Sequence, residues 1–154
     1  MTDRRVLITG SRRWPTPLIY LVHGVLDAEL RRTTPAGHLT VVHGACPTGA
    51  DWFAHRWCCS QSTGAGLGVN EEAHPADWDR VCDETCRHRP RFKNGRIYCP
   101  QAGNHRNQEM VDLGADVCHA FIVTGTGLSR GTFDCVGRAE AAGIPVIKHM
   151  VDVP

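Results

Sequence analysis

The chain has 154 residues, 42% of them apolar and 21% charged, with 17 basic against 16 acidic side chains and a formal charge of +1. That length suits one domain with a real core, taken here as residues 1–154, and the balanced charge argues against a broad basic face, so nucleic acid is not the expected partner. Met1-Thr2-Asp3-Arg4-Arg5 leads straight into a short apolar run, and no apolar run reaches membrane-spanning length. The expectation is a cytoplasmic protein without a membrane partner, whose eight cysteines serve as buried hydrophobes, metal ligands or a reactive thiol rather than as disulfides.

Short apolar runs alternate with helical patterns, which predicts an α/β, Rossmann-like open parallel sheet of about five strands with helices on both faces. Val6 to Thr9 is the first strand, ending at Gly10-Ser11-Arg12. Pro17 to Leu30 reads as the first helix, with Leu18, Leu21, Val22, Val25 and Leu26 on one face. Leu39 to His43 is the second strand, and a helix follows from Ala50 to Ser60. Gly66 to Glu72 is a weaker third strand. Beyond it come a helix from Asn104 to Leu113, a strand from Val117 to Val123 with nearly every residue apolar, a helix from Thr132 to Ala142 and a last strand opening at Ile144. Trp14, Trp52, Trp57 and Trp78 read mostly as core, with Trp14 and Trp78 near strand ends.

Three strands end in loops that combine glycine with small hydroxyl residues before a helix. They are Gly10-Ser11-Arg12, the segment from Gly44 through Gly49 to Asp51, and Thr124-Gly125-Thr126-Gly127-Leu128-Ser129-Arg130-Gly131-Thr132. Glycine lets a backbone approach a phosphate, and a helix N-terminus offers free N–H groups and partial positive charge. Arg12 and Arg130 add guanidinium forks suited to phosphate oxygens. No loop carries the lysine of a Walker sequence, and no GxGxxG follows the first strand.

Taken in order, Val6 to Arg12, His43-Gly44 with Gly49-Ala50-Asp51, His74-Pro75-Ala76-Asp77-Trp78, Ala102-Gly103 with Arg106-Asn107-Gln108-Glu109-Met110, Arg130-Gly131-Thr132 with Asp134, and Ala142 to Val146 span nearly the whole chain. This set resembles the SLOG superfamily, which holds the LOG-type phosphoribohydrolases and the DNA-processing protein A domain, and it looks most similar to the YspA-like branch. The resemblance implies a nucleotide or nucleotide-derived ligand at Gly10, Ser11, Arg12, Gly44, Gly49, Asp51, Arg106, Asn107, Gly125, Thr126, Gly127, Arg130, Gly131 and Thr132, in a sensing or sequestering module. A homodimer is compatible with it.

LOG enzymes cleave a nucleoside monophosphate with an arginine and a glutamate. Arg106 matches the arginine, whereas the glutamate's place holds Cys135, with Asp134 one residue earlier and about 100° away on a helix. Arg106 and Asp134 are therefore the catalytic candidates of an alternative hydrolase reading, for which Asp51, Asp77 and Glu109 also offer carboxylates. A nucleic-acid-binding domain is the second alternative.

Residues 79–103 lack apolar periodicity, and a structureless stretch of that length inside a domain needs another support. Cys82, Cys86, His88 and Cys99 are enough for one structural zinc, which can stand in for a missing core. His105 follows soon after, and Cys46, Cys58, Cys59, Cys118 and Cys135 read as packing. Arg87 to Arg96 is the one basic run, with Phe92 inside it.

Overall fold

The computed structural model describes residues 3–33, 36–62, 68–125 and 129–153. In chain order, β1 (Arg4–Gly10) leads through a short 3-10 turn to α1 (Ile19–Arg32), then β2 (Leu39–His43), α2 (Ala50–Ser62) and β3 (Val69–Ala73). A small ribbon of β4 (Arg91–Lys93) and β5 (Arg96–Tyr98) precedes α3 (Ala102–Asp112), β6 (Val117–Thr124), α4 (Arg130–Ala141) and β7 (Val146–Asp152).

The main sheet is five-stranded and parallel, in the order β3-β2-β1-β6-β7. Its period-2 alternation divides the core. Val6 and Ile8 of β1 pack with Val22 and Leu26 of α1 and Phe53 and Trp57 of α2, whereas Leu7 packs on the other face with Met110 and Val111 of α3 and Cys135 and Ala139 of α4. Strand β6 is buried along all but its last residue, as a strand covered on both faces must be.

The predicted element order is present, with shifted ends. The first helix begins at Ile19 because Pro15 and Pro17 hold a 3-10 turn before it, and the third strand runs Val69–Ala73, so its expected start at Gly66 lies outside the described residues. The order reverses between β1 and β6, which places their carboxyl ends at a topological switch point, where open α/β sheets take ligands. Among the described residues, no helix is long and apolar enough to cross a membrane.

Candidate functional site

A cavity of about 600 Å³ lies at that switch point, within the usual range for small-molecule sites. All three glycine loops reach it: Gly10, Ser11 and Arg12 after β1, Gly44, Cys46 and Asp51 after β2, and Ser129 to Thr132 after β6. Arg106 and Asn107 of α3 close one side, and Trp78 and Pro100 form the rim. Of the sequence-derived ligand residues, Gly49 supports the cavity from behind and Gly125 lies in the loop at φ +131°. Thr126 and Gly127 lie outside the described residues.

The loops are locked together by glycines that tolerate no side chain. A Cβ on Gly10 would stand 2.4 Å from the Ala50 Cβ, and one on Gly49 would stand 2.1 Å from the Ser11 carbonyl oxygen. Gly49 also sits at φ +75°, which costs an L-residue about 1–2 kcal/mol. Gly49→Ala is therefore expected to destabilise the domain by about 2 kcal/mol or more and to lower Tm by roughly 5 °C, measured by thermal unfolding. Gly137→Ala is the control, since a Cβ there meets open space. Gly131 also faces open space, so its bare backbone is not a packing requirement.

The cavity's electrostatics are one-sided. Arg12, Arg13, Arg106 and Arg130 line it, while Asp51 is the one acidic side chain among the described lining residues. Arg106 is spent on structure as well: Nη1 donates to the carbonyls of Gly44 and His74, and Nε donates to Asn107 Oδ1 at 3.0 Å. The first turn of α4, Arg130 to Thr132, lines the cavity, so it brings there N–H groups that a helix leaves without intrahelical partners. Ser129 does not cap that helix; its Oγ instead binds both the N–H and the carbonyl of Val123.

Asp51 is 4% exposed and accepts the Cys46 N–H at 3.3 Å. Burial holds its carboxyl above the usual range, opposed by the nearby charges of His43 and Arg106. Of the other carboxylate candidates, Asp77 and Glu109 are not among the described lining residues, Glu109 lying 3.3 Å from His74 Nδ1, and Asp134 faces elsewhere. Asp134 borders a separate groove with Gln108, Phe133 and Arg138. Burial alone would raise its pKa, but bonds from Arg138, Asn107 and Asn104 outweigh that and lower it. Cys135 is fully buried in the core against Leu7 and Cys118.

Cys82, Cys86, His88 and Cys99 converge, their ligand atoms all within 4.8 Å of one another. The Cys86–Cys99 sulfurs are 3.8 Å apart, and His88 Nε2 is 3.5 Å from the Cys82 sulfur and 3.7 Å from the Cys99 sulfur. A tetrahedral ion with metal–sulfur bonds of about 2.3 Å and metal–nitrogen bonds of about 2.0 Å has edges of roughly 3.8 and 3.5 Å, so these residues could hold a metal ion. Arg80, which the spacing did not flag, donates to Cys86 Sγ at 3.1 Å and offsets thiolate charge. Cys99 joins the cluster to the cavity: its N–H donates to the Trp78 carbonyl at 2.9 Å, and Pro100 follows it on the rim.

Three sequence expectations change here. Residues 91–98 form a ribbon on an Asn94-Gly95 turn, both residues at positive φ. Trp78 and Trp52 are 42% and 39% exposed rather than core, because each projects from the sheet ends or from the outer side of α2. Cys59 is exposed rather than packed, although its neighbour Cys58 is buried. The expected packing of Cys118 and Cys135 is what the structure shows.

Residues 4–81 match the family described as YAcAr, the YspA, cpYpsA-related SLOG family. The chain is also 43% identical over 144 residues to the "Gene 61 protein" of Mycobacterium phage D29, an alignment covering 94% of each chain.

Proposed function

Because the chain belongs to the YspA- and cpYpsA-related SLOG family, we propose that it binds a nucleotide or nucleotide-derived ligand in the switch-point cavity, as a sensing or sequestering module. The observation that carries this reading is the cavity's charge: four arginines and the first turn of α4 face one buried carboxyl. That excess suits phosphate oxygens, and the exposed Trp78 ring on the rim suits a base. Calorimetry against adenosine, guanosine and cytidine mono- and diphosphates and cyclic nucleotides tests it. Gly131→Val is expected to weaken the best of these at least tenfold without lowering Tm, since a side chain there enters open space beside the α4 N–H groups. Equal affinity in the variant would place binding elsewhere.

Hydrolysis of an N-glycosidic bond is the second reading, and Asp51, an acid on the cavity wall, favours it. Cys135 and Asp134 supply no carboxylate to the cavity, which weighs toward binding. Release of free base from nucleoside monophosphates, lost in Asp51→Asn, is the result that would reverse that weighting.

For the Cys/His cluster we infer structural zinc. Three thiolates and one imidazole at tetrahedral spacing suit it, and the segment they tie has little core of its own.

A further inference from the structure

The near-neutral charge of the chain conceals a local imbalance. Residues 87–96 carry Arg87, Arg89, Arg91, Lys93 and Arg96 and no acidic side chain, whereas the rest of the chain holds twelve basic and sixteen acidic residues. This run leads into the ribbon of β4 and β5, whose register sorts the side chains. Arg91 pairs with Tyr98, Phe92 with Ile97 and Lys93 with Arg96. Paired residues share a face and successive residues alternate. Arg91, Lys93 and Arg96 therefore lie on one face with Tyr98, and Phe92 and Ile97 lie on the other.

Neither face is spent on the fold. Phe92 is 70% exposed and Ile97 61%, and neither belongs to the apolar clusters of the core. Their cross-strand contact steadies the ribbon, yet it leaves most of both side chains in water. Arg96 meets Asp79 at 3.3 Å in a solvent-exposed pair, and among the described residues no carboxylate pairs with Arg87, Arg89, Arg91 or Lys93. The Cys/His cluster brackets the ribbon, with Cys86 and His88 ahead of β4 and Cys99 directly after β5. The ribbon is thus a tethered basic and aromatic projection.

We propose that this ribbon binds single-stranded nucleic acid. Arg91 and Lys93 stand two residues apart on one strand, about 6.6 Å, close to the separation of successive phosphates in an extended chain. Phe92 offers an exposed ring on which an unpaired base can stack. The two strands lie only about 4.8 Å apart, less than the length of a Lys or Arg side chain, so one nucleic-acid strand can meet both faces. A duplex keeps its bases stacked on one another and would leave Phe92 unused. An anionic bilayer would attract the charges, but membrane binding scales with buried apolar area, and two side chains supply little of it. None of the ribbon's residues lines the switch-point cavity, so the contact does not depend on it.

The test is fluorescence anisotropy of a labelled oligo(dT) titrated with the full chain as purified. Affinity should fall as salt rises, with a slope of log K against log salt of about −3, from four or five neutralised phosphates. Arg91→Glu combined with Lys93→Glu should weaken binding at least tenfold and make that slope shallower by about one. Phe92→Ala should weaken binding about tenfold with the slope unchanged, because stacking releases no counterions. All three side chains are exposed, and circular dichroism with metal content checks that each variant folds. Tighter binding to a duplex or to phosphatidylserine vesicles, no binding by the parent at low salt, or unchanged affinity in either variant would each overturn the proposal. Gly131→Val should bind oligo(dT) as the parent does, so this outcome and that of the cavity are read separately; a loss there would move the contact to the cavity and overturn the assignment to the ribbon.

Discussion

Removing metal from the purified protein is expected to unfold residues 79–101 while leaving the five-stranded sheet folded. The reason is where apolar burial lies. The clusters that hold the sheet draw on β1, β2, β6 and the four helices, and none of their members comes from residues 79–101. Between Asp79 and Tyr98 every described residue is exposed or half-buried, with Val81, Phe92 and Ile97 facing solvent, so burial there cannot offset the cost of ordering the backbone. A zinc bound by three thiolates and a histidine can, since such sites contribute on the order of 10 kcal/mol to folding small domains. About one zinc per chain is expected by elemental analysis, and cobalt substitution should give the thiolate charge-transfer absorption of a tetrahedral site. Cys99→Ser, at the fully buried ligand, should abolish metal content and remove hydrogen-exchange protection from 79–101. It should also weaken ligand binding, because Pro100 and the Trp78 carbonyl hang from the same residue. Unaltered protection with no metal bound would show that the four side chains are merely packed together.

The sheet was legible because its evidence is local. Val117 to Val123 is apolar but for His119, and β1 ends at Gly10 and β2 is followed at once by Gly44, each ahead of a helix, so type and order follow from short windows. β3 was faint for a physical reason: it is the sheet's edge, carrying Asn70, Glu71 and Glu72, with none of its residues fully buried. The ribbon had a readable signal in Asn94-Gly95, whose two positive φ values make the tight hairpin turn, but its strands are three residues long and show no alternation.

The candidate site divides the same way. Its glycines, Arg12, Arg106 and Arg130 are visible as residue types at strand ends. What a one-dimensional reading misses is which partners each side chain meets. Asp134 is a plausible carboxylate until Arg138, one turn later, and Asn104 and Asn107 of another helix are seen to hold it. Arg80 joins sulfurs six and nineteen residues away. The Glu71–His55 contact depends on the placement of β3 beside α2, and Cys58 and Cys59 differ in burial because adjacent helical positions point about 100° apart.

Arg106→Ala is expected to cost both affinity and stability, and the pH dependence of the stability loss separates its roles. In the parent, Nη1 joins the loop after β2 to the segment after β3 through the carbonyls of Gly44 and His74. Truncation leaves those acceptors without their donor, at about 1–3 kcal/mol, and removes a charged contact worth about 1.5–3 kcal/mol to a bound phosphate, roughly a tenfold to hundredfold loss in calorimetry. Arg106→Lys keeps the charge but not the planar fork, so it should recover part of the affinity and less of the stability. Asp51 supplies the pH signature. Burial raises its pKa and Arg106 opposes that, so removing Arg106 raises it further. A carboxyl raised in the fold binds its proton more tightly there than when unfolded, so its ionisation lowers stability as pH rises. The Tm deficit of Arg106→Ala should therefore be smallest in acid, where Asp51 is protonated in both states, and should widen toward neutrality. Adding Asp51→Asn should flatten that widening. A deficit independent of pH would mean that Arg106 acts on the carbonyls alone and does not stabilise the buried carboxylate.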